Sequence, residues 1–87
     1  MSLFAVTYDL VAAKDYGSLI DRLKELDTVR VQDSQWLLYA ENTAKEVKDH
    51  LAEYIDSDDR LMVIEFNKRP AYTLALKGTN AWLDRFL

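Results

Sequence analysis

The sequence lacks cysteine altogether, and its 87 residues include only two glycines and one proline. Without cysteine the chain can form neither a disulfide framework nor a thiolate metal site, which excludes the small disulfide-rich secreted proteins. So few glycines and prolines leave little material for a flexible linker. The length therefore predicts one domain over residues 1–87.

Long apolar runs and targeting features are also missing. No run approaches the roughly 20 residues that a membrane-spanning helix needs. The first residues, Met1, Ser2 and Leu3, lack the basic start and the small-residue cleavage site of a signal peptide. We therefore expect a cytoplasmic protein with no membrane partner.

Basic charge is scarce as well. The chain has 11 lysines and arginines against 15 acidic residues, which gives a net charge of −4. Proteins that bind the phosphate backbone usually carry a basic excess. Contact with RNA or DNA would therefore have to come from a local basic patch.

The pattern of apolar residues predicts four strands. Residues 3–8 alternate β-branched and aromatic side chains and end at a carboxylate, and residues 28–40 contain two antiparallel strands around a polar break at 33–35. Residues 60–66 are apolar on both faces except for Glu65. That pattern predicts a fourth strand that is central and covered.

Two helices are expected between the strands. Helical spacing over residues 16–26 predicts the first, with Asp15 as its N-cap. Thr43 and Glu46 form a capping box at the start of the second. The resulting order, βαββαβ, is that of an α+β, ferredoxin-like domain with an antiparallel sheet.

The last part of the chain, residues 66–87, reads as an extension that packs on its own sheet or on a partner's. Residues 71–76 follow Pro70 and are expected to form an extra edge strand. Residues 81–87 are expected to form a short last helix or turn.

The sheet also has more apolar side chains than one layer of helices needs, which predicts that its second face is covered by a partner. We therefore expect a homodimer. The tyrosines expected at its interface are Tyr8, Tyr39 and Tyr72.

Three stretches, "VTYD" at residues 6–9, "VRVQDSQWLL" at 29–38 and "DSDDRLMVIEF" at 56–66, lie on the expected elements in this order. Together they resemble the second core family of CRISPR-associated (Cas) proteins, the small dimeric partners of the spacer integrase. They are also similar to the related VapD-type ribonucleases. The resemblance covers roughly residues 1–66. It implies a ferredoxin-like dimer packed sheet against sheet, often with a fifth strand added to the partner's sheet.

The resemblance also implies a role for Asp9. In family members described as nucleases, the strand-end aspartates of two subunits face each other and are proposed to hold one divalent metal. Carboxylate oxygens suit Mg²⁺ or Mn²⁺, and such a metal could assist phosphodiester hydrolysis. The implied activity is a metal-dependent endonuclease on RNA or DNA. From the residues alone, Asp9 is equally a turn carboxylate.

Four further side chains are candidates for contact with nucleic acid. Arg30 and Ser34 lie around the polar break, and Lys68 and Arg69 form the basic cluster before the tail. Each also fits a plain role in a solvated strand or turn. Two other functions therefore stay open, a non-catalytic dimeric scaffold or regulatory module and a small-molecule sensor. In the family an integrase would be a further partner.

Overall fold

A computed structural model describes residues 2–10 and 16–87 of the chain. Along these residues the elements are β1 (Ser2–Asp9), α1 (Tyr16–Glu25), β2 (Thr28–Gln32), β3 (Gln35–Ala40), α2 (Ala44–Ala52), β4 (Arg60–Phe66) and α3 (Thr79–Phe86). The strands form one antiparallel sheet in the order β2-β3-β1-β4. This order confirms the predicted α+β, ferredoxin-like fold.

The helix starts follow from local hydrogen bonding. The Thr43 side chain accepts a bond from the Glu46 amide at 3.1 Å, and the Thr43 amide donates to Glu46 Oε1 at 2.9 Å. The predicted capping box is thus present at the start of α2. The first helix begins at Tyr16 as predicted, whereas its expected N-cap, Asp15, lies outside the described residues.

One face of the sheet packs against α1 and α2. Phe4 and Val6 from β1 are fully buried there, together with Leu19 and Leu23 of α1. Leu51 of α2 is also fully buried in this cluster. Alternating side chains of a strand point to opposite faces, so the even-numbered residues of β1 build this core.

The opposite face of the sheet is covered in part by α3. A second core there consists of Leu3, Val31, Leu37, Trp82 and Leu83. Asp27 holds the helix from the side, since its carboxylate accepts bonds from Trp82 Nε1 at 3.1 Å and from Arg85 Nη2 at 3.3 Å. The C-terminal extension therefore packs on the sheet of its own chain.

The extra strand expected over residues 71–76 is not formed in this chain, apart from a single sheet-like contact. The Leu76 amide donates to the Val31 carbonyl at 3.0 Å. Two side chains connect this part of the chain to α3: Arg69, which precedes the segment, and Tyr72, which belongs to it. Arg69 pairs with Asp84 at 2.8 Å, and the Tyr72 hydroxyl bonds to Asn80. Gly78, with φ of 99°, then supplies the left-handed turn into α3.

The position expected for the fourth strand is wrong. β4 is an edge strand, because it pairs with β1 alone in the sheet order. Its side chains Met62 and Ile64 are 61% and 53% exposed. The helix α2 packs on one face of this strand, whereas α3 leaves Met62 and Ile64 on the other face open.

Candidate functional site

Asp9 is the last residue of β1 and lies on the open face of the sheet. Exposed Thr7 and Asp9 alternate with buried Tyr8, so the two exposed side chains share the face opposite α1 and α2. Across the sheet they stand beside the exposed side chains of β4. We call this surface the open strip; its residues are Thr7, Asp9, Arg60, Met62 and Ile64.

Among the residues that the structure describes, the charged partner of Asp9 is Arg60, the first residue of β4. Arg60 Nη1 donates to Asp9 Oδ2 at 2.9 Å, and the two residues are directly opposite in the antiparallel register. The side chains are 68% and 75% exposed for Asp9 and Arg60. Exposed pairs of this kind contribute about 0–1 kcal/mol to stability.

The residues around Asp9 do not fit a divalent metal in a single chain. Among the described residues, no three acidic, histidine or cysteine side chains are grouped closely enough to hold a metal ion. Asp9 offers one carboxylate, and its neighbour at 2.9 Å is a cation. Mg²⁺ takes six oxygen ligands in near-octahedral geometry, and Asp9 with its described neighbours does not supply a second carboxylate for it.

Tyr8, which the sequence suggested for a subunit interface, lies in the core of the monomer at 5% exposure. Its hydroxyl donates to the Asp33 carbonyl at 3.3 Å and accepts from Trp36 Nε1 at 3.1 Å. Its amide donates to the Ser34 carbonyl at 3.1 Å. Tyr8 therefore anchors the turn between β2 and β3 next to the end of β1.

This anchoring brings Ser34 to the same end of the sheet as Asp9. Arg30 lies nearby, but its guanidinium is engaged with its own turn. Arg30 Nε and Nη2 donate to the Asp33 carbonyl at 3.1 and 2.6 Å, and the group lies 5.5 Å from the Trp36 ring centroid. Of these two candidates for nucleic-acid contact, Ser34 is the one with an exposed side chain.

Lys68 and Arg69 lie at the other end of the sheet. They follow the last residue of β4, whereas Asp9 is opposite its first residue. A strand of seven residues is about 20 Å long, so the structure separates this cluster from Asp9. Lys68 is exposed, and Arg69 is paired with Asp84.

The other two tyrosines expected at an interface are held by α3 or its neighbourhood. The Tyr39 ring stacks on Phe86 with centroids 4.3 Å apart, which places it partly beneath α3. Tyr72 is 39% exposed and bonded to Asn80. A role in a subunit interface remains a prediction for both.

Arg60 is the residue of this site that sequence reasoning missed. The sequence does contain an expected strand that ends in aspartate and another that begins with arginine. Finding it required the antiparallel register of β1 and β4, whose paired residues here are 51 positions apart.

The family model described as CRISPR associated protein Cas2 matches residues 1–72. The chain belongs to the Cas2 family. The matched residues include all four strands and the Asp9–Arg60 pair, whereas α3 lies beyond them. No solved structure matches this Cas2-family chain. Within the described ranges, no helix is both long and apolar enough to cross a bilayer.

Proposed function

We propose that this Cas2-family chain acts in the cytoplasm as a homodimeric, nucleic-acid-associated scaffold of a CRISPR-type system, beside an integrase partner. The open strip is the observation that carries the proposal. It leaves Met62 and Ile64 more than half exposed on a sheet face whose other half is already covered by α3. Burying such side chains against a second copy would contribute about 25 cal/mol for each Å² of apolar surface.

The chemistry at Asp9 favours a scaffold over a catalyst. Hydrolysis assisted by a metal needs a cation held by several oxygen ligands. Asp9 is one carboxylate, and Arg60 already balances its charge. Holding nucleic acid requires only positive charge and shape, for which Lys68 and Arg69 are the candidates.

The dimer is tested by sedimentation equilibrium of the wild type and the Ile64→Asp variant. We expect a wild-type dimer and a largely monomeric variant, because the substitution places a charge in the buried strip. Leu74→Asp is the matched control, since Leu74 is 86% exposed and lies outside the strip. A variant with unchanged association would contradict the assignment of the strip, and a monomeric wild type would contradict the dimer.

The nucleic-acid role is tested by fluorescence anisotropy with labelled duplex DNA and RNA at low salt. Reversing both charges in Lys68→Glu/Arg69→Glu should weaken binding about tenfold or more and flatten its salt dependence. Lys45→Glu/Lys48→Glu makes the same change in net charge on α2. Equal losses in both variants would show that net charge, rather than this cluster, governs binding.

A second candidate function is a metal-dependent endonuclease using Mg²⁺ or Mn²⁺. It is favoured by the position of Asp9 on the open strip, because a second copy on that strip brings a second Asp9 to the same interface. The test compares cleavage of RNA and DNA by wild type, Asp9→Asn and the control Asp58→Asn. Loss of cleavage in Asp9→Asn alone supports the nuclease, and equal rates in all three remove it.

A further inference from the structure

The backbone places the two residues of the ion pair at the end of the open strip opposite each other. Asp9 and Arg60 are register partners in the β1–β4 ladder, and directly opposed residues have Cβ atoms about 4.5–5.5 Å apart. Strand pairing therefore brings the two side chains within reach, and Arg60 Nη1 lies 2.9 Å from Asp9 Oδ2. Every copy of the folded chain carries its own cation next to its own carboxylate.

Within the two Asp9–Arg60 pairs of such copies, the charges balance without any metal. Two Asp9 carboxylates contribute −2, and either two Arg60 guanidinium groups or one divalent cation would contribute +2. Both together would leave an excess of +2 at the interface. Arg60 and a metal are thus alternatives, because an unbalanced charge is costly where water is excluded.

We propose that Arg60 takes the place of a divalent metal as the countercharge of Asp9, so that association of this protein requires no metal. The inference rests on the proposed homodimer and names what balances the charge at its interface. In the free chain both groups are well exposed and their attraction is weak. Covering Met62 and Ile64 removes water from the same strip, and the pair then becomes necessary for association.

Removing the guanidinium should create a metal requirement. In Arg60→Gln, two Asp9 carboxylates at the interface have no countercharge, so they repel each other until a divalent cation binds between them. In the double variant Asp9→Asn/Arg60→Gln neither charge remains. That variant should associate without metal, as the wild type does.

The experiment titrates the full chain with Mn²⁺ alone, following the loss of the free-ion electron paramagnetic resonance signal. Sedimentation equilibrium of the same samples is run in excess EDTA and in Mn²⁺. Arg69→Gln is the matched control, because it also removes an arginine from an exposed pair, here with Asp84 at 2.8 Å. That change frees a carboxylate outside the open strip.

The expected result has three parts. Wild type associates equally in EDTA and in Mn²⁺, whereas Arg60→Gln associates only in Mn²⁺. Arg60→Gln also binds Mn²⁺ about tenfold or more tightly than wild type or Arg69→Gln do. The double variant returns to the wild-type behaviour in both measurements.

Two results would overturn the inference while leaving the dimer in place. One is a wild-type dimer that dissociates in EDTA and re-forms with Mn²⁺. The other is an Arg60→Gln dimer with wild-type Mn²⁺ affinity and no metal requirement. A wild type that is monomeric in both conditions would instead refute the homodimer, and this inference with it.

Discussion

Replacing Leu83 by alanine should destabilise the chain through the second core. Leu83 lies on α3, is fully buried, and packs with Leu3, Val31 and Leu37 of the sheet. Leucine-to-alanine changes in protein cores cost about 2–5 kcal/mol, depending on how far the cavity closes. The helix α3 has only eight residues and can shift into the space. We therefore expect a loss of about 2–3 kcal/mol.

That loss is large compared with the whole stability. Small domains have about 0.05–0.15 kcal/mol of unfolding free energy per residue, so this chain should have about 4–13 kcal/mol. Urea unfolding followed by circular dichroism and tryptophan fluorescence measures the change, since Trp36 and Trp82 report on separate clusters. All samples need one protein concentration, because association would shift the apparent stability.

Leu74→Ala is the control for this experiment. Leu74 is 86% exposed, so its truncation should change the free energy of unfolding by no more than about 0.5 kcal/mol. If Leu83→Ala costs as little as Leu74→Ala, α3 does not pack on the sheet in solution. The division of the sheet face into a covered half and an open strip would then be refuted.

Two further stability changes follow from the structure. Tyr8→Phe leaves buried Trp36 Nε1 without its acceptor and should cost about 1–3 kcal/mol in urea unfolding. Hydrogen bonds from Lys45 and then Lys48 lower the pKa of Asp49 from 3.8 to about 2. Their small stabilisation is therefore complete above about pH 5 and is lost as the pH falls through 3.8 toward 2. Asp49→Asn should remove this acid dependence of Tm, and an unchanged Tm–pH curve would contradict it.

The sequence was most informative where local chemistry decides the structure. Thr43 and Glu46 predict the start of α2 because the capping box involves residues three positions apart. The position of Asp9 at the end of β1 follows from the local run of β-branched and aromatic residues that precedes it. These features need no knowledge of distant parts of the chain.

Prediction was poorer where the outcome depends on which elements become neighbours. A strand apolar on both faces reads as central, yet β4 is an edge strand with Met62 and Ile64 exposed. Residues 71–76 read as a strand, but the segment makes a single sheet-like bond to Val31, while Arg69 and Tyr72 are bonded to α3. Arg60 was missed for the same reason, since its role depends on long-range register.

The position of α3 limits where a second copy can bind the folded chain. The half of the open-side face over β2 and β3 is occupied by Trp82 and Leu83, which are 5% and 0% exposed. A partner there would have to displace both buried side chains, whereas the strip on β1 and β4 is already free. That strip ends at the Asp9–Arg60 pair. The contact between subunits and the Asp9–Arg60 pair would thus lie at the same end of the sheet. The helix α3, which lies outside the matched residues 1–72, bounds this surface.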